Sequence, residues 1–588
     1  VWQFFGVLLR ADRPLAIVWW ALVVLRAMLP AVFVIAMGAT VSAVQHGDSL
    51  VWPLTAIAVS FIGSQAVGPM HDALSSNLGA RVSTYLHDQL MYACVGPAGL
   101  GHLENPELAD ELSAARDFDL GLAGPSLIIS MPNIGGGFAQ FGGGLAQVAL
   151  LFAYRWWAPL LLAAAWGSTH HFLRAAAVWR SRHTDESMEK QRRAAYAYRL
   201  TVESPASKEV RLFGLADWVV GSFRSLRRQL LEQSWADRRL GVRATTWAIV
   251  IVVGANALFF AALGRDANNG SVALGALVVF AQAAVGASAL AFGDWDWWLG
   301  SSAQPVPLVL GLTARMGESG DLVSGPRAAD GIPAHEIRFD NVTFAYPGTD
   351  RVVLDGLDLT IPAGASLAIV GQNGAGKTTL AKLLCRMYDP TGGAIRIDDT
   401  DLRDFDIASW RTRIAAVFQD YVRYELTLRD NVAPNADAGD DDVRAALEAA
   451  RAADLADLGT VLSRAYTNGR DLSGGQWQRV ALARALCAVR LGAGIVLLDE
   501  PTAQLDVRGE LEIFDRLIDA TRGATTILIS HRFSTVRRAD RICVVEHGRV
   551  VEIGSHAELM ASGGRYKEMF ELQASRFGDE DEELESLS

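Results

Sequence analysis

The sequence predicts two parts in series: a bundle of apolar helices long enough to cross a membrane, then an α/β domain of alternating strands and helices. Three observations carry this. Long apolar runs crowd into the first half of the 588-residue chain, and charge with alternating patterns takes over in the second. Between an apolar run at 366–370 and a helical spacing from Leu380 lies a glycine-rich loop, 371–379. Hydrophobic residues make up 51% and charged ones 20%, with a mean hydropathy of +0.19, the balance of a membrane protein. The length exceeds what one hydrophobic core organises, so at least two domains are expected.

The net charge of −12 argues against a nucleic-acid partner, and none is expected, but the value averages two unlike halves and an acidic tail and is a poor guide by itself. Cysteines 94, 385, 487 and 543 lie far apart without metal-ligand or paired spacing, which fits buried thiols in a reducing compartment. The first apolar run is too long for a cleavable signal peptide and lacks a small-residue cleavage site.

A membrane-crossing helix needs about 20 apolar residues. Six segments qualify, near 15–44, 50–70, 125–152, 157–179, 244–264 and 271–293, within a membrane domain of residues 1–312. Positive charge sets the orientation, because cytoplasmic loops retain Lys and Arg. The stretch 174–243 carries Arg180, Arg182, Lys190, Arg192, Arg193, Lys208 and Arg211 among others, whereas the connectors at 46–49, 154–157 and 264–270 are short and nearly free of positive charge. Both termini are therefore expected in the cytoplasm. The two polar inner excursions, roughly 71–124 and 180–243, show helical patterning and read as helices leaving the bilayer. Breaks at Asn105, Pro106 and Glu107 and at Ser204, Pro205, Ala206 and Ser207 suit short transverse helices.

Within the spans, Gly135 to Gly137 and Gly142 to Gly144 recur at seven-residue spacing, which suits close helix packing. Asp294 and Asp296 alternate with Trp295, Trp297 and Trp298, the pattern of an interfacial tryptophan belt with exposed acids. His71 and Asp72 read the same way. None of these names a cargo.

Residues 313–335, rich in Gly, Pro, Ser and acids, read as a linker; 336–575 read as the α/β domain, and 576–588 as an acidic solvated tail. The loop Gly371, Gln372, Asn373, Gly374, Ala375, Gly376, Lys377, Thr378, Thr379 has the strand, turn and helix frame of a P-loop. Its backbone N–H groups and helix end suit a polyphosphate, Lys377 can reach the β and γ phosphates, and the Thr378 hydroxyl can hold Mg²⁺. The apolar run 495–498 ends in Asp499 and Glu500, which a buried strand would deliver beside the loop: Asp499 to support Mg²⁺ and Glu500 to polarise the attacking water. Gln419 and His531 follow two further apolar strands, Gln419 able to contact metal and water, His531 able to bond the γ phosphate and hold Glu500. Tyr346 offers a ring for adenine. Leu472, Ser473, Gly474, Gly475 and Gln476, opening a helical run, form a second phosphate-binding helix end.

This joint set, behind six spans with long inner loops, resembles a bacterial ABC exporter half-transporter over nearly the whole chain. The resemblance implies a six-helix membrane domain of exporter type, an α/β P-loop NTPase domain with a helical subdomain, and ATP with Mg²⁺ as cofactors. It implies a dimer in which Ser473, Gly474, Gly475, Gln476 and Asp506 of one chain close over ATP held by the P-loop of the other. The proline-broken inner segments resemble coupling helices near 102–110 and 205–216. The chain departs from the family pattern at Ala503 and Gln504 and at 468–471, and Trp477 gives a loose similarity to exporters of modified peptides. The implied activity is ATP-driven export of a peptide, lipid or hydrophobic small molecule by alternating access in the cell membrane. An importer of the same fold and an ATP-gated regulatory or channel protein are the alternatives; a soluble ATPase acting on ribosomes or DNA conflicts with the apolar spans.

Overall fold

The computed structural model describes residues 2–116, 126–176, 185–203, 206–303, 305–319, 322–434, 438–501 and 516–573. It divides into two compact units, Val1–Tyr92 with Asp110–Thr313, and Ala93–Ala109 with Ala314–Ser588.

As far as Ser319 the described chain is helical: α1 (Trp2–Ala11), α2 (Arg13–His46), α3 (Val51–Val95), α4 (Gly101–Glu104), which belongs to the second unit, α5 (Pro106–Arg116), α6 (Leu127–Leu150), α7 (Trp157–Ala176), α8 (Asp185–Val202), α9 (Ser207–Leu212), α10 (Ala216–Asn268), α11 (Leu274–Gly286), α12 (Asp294–Ala303) and α13 (Pro305–Ser319). Local chemistry sets the boundaries. Asp12 caps α2 by accepting from Leu15 N at 2.9 Å, and Gly47, at φ 74°, ends it in the left-handed region. Helices α3 and α10 run 45 and 53 residues, so each far exceeds a bilayer crossing and joins an apolar span without a break to part of a polar excursion, 71–95 in α3 and 216–243 in α10.

Five helical stretches among the described residues are long and apolar enough to cross a membrane: Arg13–His46, Val51–Val95, Leu127–Ala153, Ala244–Asn268 and Leu274–Gly317. The expected fourth span forms a helix of 20 residues, α7, but is not among them. Ser168, Thr169, His170, His171 and Arg174 in its second half account for the lower hydropathy.

Four expectations change. The sixth span is not one helix: α11 gives way to a 3₁₀ turn at Ala287–Leu290 and the chain is extended at Ala291 before α12 begins. The broken backbone is satisfied by side chains, with His170 Nε2 donating to Leu290 O at 3.0 Å and Phe292 N to Thr169 Oγ1 at 2.7 Å. Asp296 is not an exposed belt acid: it is buried, accepts from Gly293 N at 3.4 Å and lies 3.6 Å from His170 Nδ1. His71 is fully buried as well, with Arg26 donating to its Nδ1 at 3.2 Å and to Asp72 at 3.0 Å. The linker also starts later than 313, because α13 continues to Ser319 with Val309, Leu312 and Met316 buried at helical spacing.

The glycine triplets of α6 act as close-packing positions. A Cβ on Gly142 would lie 3.0 Å from Ala27 Cβ, on Gly143 3.2 Å from Ala27 O, and on Gly144 3.1 Å from Ala289 Cβ. Gly135 faces His71 and Trp19, and Gly137 faces Trp295. Small residues thus let α2 and the broken sixth span approach the α6 backbone.

The second unit holds two sheets. Strands β1 (Glu336–Ala345), β2 (Val352–Pro362), β4 (Gly392–Ile397) and β5 (Thr400–Asp401) form an antiparallel sheet in the order β2-β1-β4-β5. Strands β3 (Ser366–Val370), β6 (Ile414–Val417), β7 (Ile495–Asp499), β8 (Thr525–Ile529), β9 (Arg541–Glu546) and β10 (Arg549–Gly554) form the second, in the order β10-β9-β3-β8-β7-β6, with β10 its antiparallel edge. All residues of β7 and β8 are buried, as apolar strands of a parallel sheet covered on both faces must be. Helix α14 (Lys377–Leu384) lies between the sheets in one core with Phe339, Phe344 and Leu357. Helices α15 (Ile407–Thr412), α16 (Leu428–Val432), α17 (Asp440–Ala449) and α18 (Gly474–Arg490) follow; α16, α17 and α18 build a second core over β6 and β7 through Val432, Leu447, Val480 and Leu498. Helices α19 (Phe533–Val536) and α20 (His556–Ser562) cover the outer face of β3 and β9.

Candidate nucleotide site

Parallel pairing makes the site. Strand β3 lies beside β8, β8 beside β7 and β7 beside β6, all in parallel. Their C-terminal ends therefore emerge at one edge, the edge at which open α/β sheets bind ligands. The P-loop follows β3, Gln419 follows β6, Glu500 follows β7 and His531 follows β8.

The loop needs glycine at Gly371, whose φ is 154° and whose Cβ would collide with Val545 O, and at two further positions. Gly376 has φ 101° and a Cβ there would lie 2.6 Å from Leu354; Gly374 has φ 81°. The turn closes with Ala375 N donating to Gln372 O at 3.2 Å, and Lys377 begins α14. Lys377 Nζ donates to Gly371 O at 2.8 Å and to Gln372 O at 2.9 Å, folding the ammonium over the loop. Burial holds this ammonium below its ordinary pKa, against the opposing pull of Glu500 and Asp499.

Thr378 Oγ1 donates to Asp499 Oδ2 at 2.7 Å. Asp499 is 2% exposed, and burial raises its carboxyl above the ordinary range although the Thr378 bond lowers it. A carboxylate and a hydroxyl side by side are hard oxygen donors, so this pair fits a magnesium ion. Glu500 stands one residue on, with Gln419 Nε2 donating to its Oε2 at 3.1 Å and His531 Nδ1 3.1 Å from its Oε1. Its N–H donates to Ile529 O at 2.9 Å, and its φ of 49° places a non-glycine residue in the left-handed region.

Tyr346 sits at the end of β1, its hydroxyl 2.9 Å from Thr379 Oγ1. The structure thus brings together Tyr346, the loop 371–379, Gln419, Asp499, Glu500 and His531. Ser473, Gly474, Gly475 and Gln476 form the start of α18: Ser473 N donates to Gln476 Oε1 at 2.8 Å and Gln476 N to Ser473 Oγ at 3.4 Å, a capping box. Among the described residues, none of these four hydrogen-bonds the P-loop. Asp506, Ala503, Gln504, Ser204, Pro205 and the 576–588 tail lie outside the described residues.

The transverse helix expected near 102–110 adds contacts that the sequence did not name. The short helix α4 lies in the second unit, with Leu100 N donating to Met387 O at 3.1 Å and Leu100 packed in the core of the two sheets. Arg411 donates to Ala98 O at 2.6 Å, and Lys382 Nζ pairs with Glu104 at 3.0 Å. The break at Asn105 marks this helix, and Asn105 Oδ1 does accept from Glu107 N at 3.0 Å, but nothing local to Lys382 announces its partner.

Fold and site together define a P-loop nucleotide-binding domain fused to a helical membrane domain. Residues 354–503 match the family model described as ABC transporter. The chain is 42% identical over 254 residues to an ATP-dependent lipid A-core flippase of Thiobacillus denitrificans, covering 42% of this chain and 43% of that protein. A flippase of the same description from Dechloromonas aromatica is 43% identical over 244 residues, covering 40% and 41%. An uncharacterized ABC transporter ATP-binding protein, YknV, of Bacillus subtilis is 40% identical over 245 residues, covering 41% and 40%. These matches span well under half the length of the curated relatives. A solved structure of a bacterial Atm1-family ABC exporter with ATP bound superposes with a TM-score of 0.68 at 24% identity, covering 96% of this chain and 98% of that one. Residues 354–503 thus carry an ABC-transporter-type domain, and the chain over nearly its whole length has the fold of a bacterial ABC exporter.

Proposed function

We propose that the protein is an ATP-driven exporter of a hydrophobic or amphipathic cargo (a peptide, a lipid or a small molecule), working as a dimer of half-transporters in the cell membrane. Both termini and the nucleotide-binding domain face the cytoplasm, and the membrane domain crosses six times, α7 included. The observation that carries the reading is Glu500 held between Gln419 and His531 beside a P-loop, in a chain with membrane-length apolar helices. The fold likeness to an exporter and the flippase descriptions of the relatives support the direction, the latter through the nucleotide-binding half alone.

Tyr346 stacks on the adenine, and the N–H groups from Gly371 to Thr379 cradle the phosphates. Lys377 leaves the Gly371 and Gln372 carbonyls for the β and γ phosphates. Thr378, Gln419 and Asp499 would hold a magnesium ion, which would supply charge neutralisation at the phosphates. Glu500 accepts a proton from the attacking water, Gln419 orients that water, and His531 fixes Glu500 and bonds the γ phosphate. Ser473, Gly474, Gly475, Gln476 and Asp506 of a second copy close each site, so two ATPs are buried per dimer. Catalysis is then positioning and charge stabilisation. The test is ATP-dependent movement of fluorescent lipids, peptides and lipophilic dyes in reconstituted vesicles, with Glu500→Gln as control. Movement of one class that stops in the variant supports the reading; movement that continues in the variant contradicts it.

A further inference from the structure

We propose that Lys382 is a positioning residue that ties α4 to the seat of the adenine base, so that seating of this transverse helix sets ATP affinity through the base. The inference rests on the reading of Tyr346 and the P-loop as an ATP site.

Lys382 lies on α14, five residues beyond Lys377, and so shares a rigid helix with the phosphate-binding threonines. Its ammonium is 5.3 Å from the centroid of the Tyr346 ring and 5.9 Å from that of Tyr388, within cation–π range of both. The same ammonium donates to Glu104 Oε1 at 3.0 Å, where the side chains keep 24% and 39% exposure. Glu104 is the last residue of α4, and Leu100 at the other end of that helix is fixed by its bond to Met387 O and its place in the core. The Tyr346 ring meets Phe344 edge-on at 5.0 Å and Tyr388 at 5.5 Å, while its hydroxyl holds Thr379.

These contacts form one chain within the second unit, from Glu104 through Lys382 and Tyr346 to Thr379. A lysine has a long flexible stem, and its ammonium stays over a ring only if something fixes it. Glu104 is that fixture. Without it, the ammonium moves to solvent, and the ring loses one of the contacts that set its tilt toward a base. The phosphate half of the site meets this chain only at the Thr379 hydroxyl, while Lys377 is held by the loop itself. The effect therefore belongs to the base and not to the triphosphate.

The test uses the full chain in lipid nanodiscs and measures Mg²⁺-dependent binding of ATP, with inorganic tripolyphosphate as a base-free probe. Lys382→Met and Glu104→Gln should each weaken ATP binding by about threefold to fivefold. The double variant should be no weaker than the weaker single variant, because both remove the same link. Tripolyphosphate affinity should not change, and Lys382→Arg should retain most of the ATP affinity. Equal losses for ATP and tripolyphosphate, additive losses in the double variant, or variants matching the wild type would each overturn the inference. A wild-type chain that binds no ATP overturns the site reading itself; a wild-type chain that binds ATP as its variants do overturns the inference alone.

Discussion

Glu500 and His531 stand 3.1 Å apart, carboxylate oxygen to imidazole nitrogen, while the other oxygen of Glu500 accepts from Gln419 at 3.1 Å. Residues following three neighbouring parallel strands thus fix one carboxylate in the left-handed backbone position of Glu500. His531→Ala releases one oxygen. We expect kcat for phosphate release to fall roughly tenfold to a hundredfold with a much smaller change in KM, since misplacement of a positioned base costs rate more than binding. Steady-state kinetics of the variant would check this, and a change confined to KM would count against the assigned role.

Thr378 and Asp499 make the other contact on which the site depends, at 2.7 Å. Thr378→Ala and Asp499→Asn should each raise the Mg²⁺ concentration needed for half-maximal phosphate release by about tenfold or more. A magnesium titration at fixed ATP reads this directly.

Burial raises the Asp499 carboxyl above its ordinary value of 3.8. The folded chain therefore keeps this proton to higher pH than the unfolded chain does. The sign follows: stability contributed by the neutral form is full below the unfolded value and is lost as pH rises through the raised one. Metal binding runs the opposite way, because the ion needs the ionised carboxylate. Mg²⁺-dependent ATP affinity should weaken as pH falls into the window above 3.8, at higher pH than an ordinary exposed carboxylate would give. In Asp499→Asn that acid limb should flatten. An unchanged limb would assign the titration to another group.

Gly143 faces the Ala27 carbonyl at a separation where a Cβ would stand 3.2 Å away, whereas one on Gly136 has Arg26 Nη1 nearest at 3.8 Å. Gly143→Val should destabilise the membrane domain by about 1–3 kcal/mol, and Gly136→Val by less. Thermal unfolding of both variants in the same detergent compares them, and equal losses would show that helix approach is not what the glycine permits.

The nucleotide half was legible because its chemistry is contiguous or strand-terminal: one loop supplies the glycines, Lys377 and Thr378, and apolar runs ending in polar residues deliver Asp499, Glu500 and His531 to one sheet edge. The membrane half was legible in its apolar runs and glycine spacing but not in its polar contacts. Asp296 looked like an exposed belt acid because its neighbours are tryptophans. Its partner His170 lies on another helix, and the break at 287–293 that brings them together carries no proline. Lys382 and Glu104 are 278 residues apart in sequence, so only the fold could join them.

Every role proposed above requires that this chain hydrolyse ATP at the P-loop with Glu500 as base. The most direct test is phosphate release by the purified full chain in lipid nanodiscs, measured beside ATP binding in wild type and Glu500→Gln. Mg²⁺-dependent release should fall by about a hundredfold or more in the variant while ATP binding is retained. Undiminished release by Glu500→Gln, or a wild-type chain that binds no ATP, would contradict it.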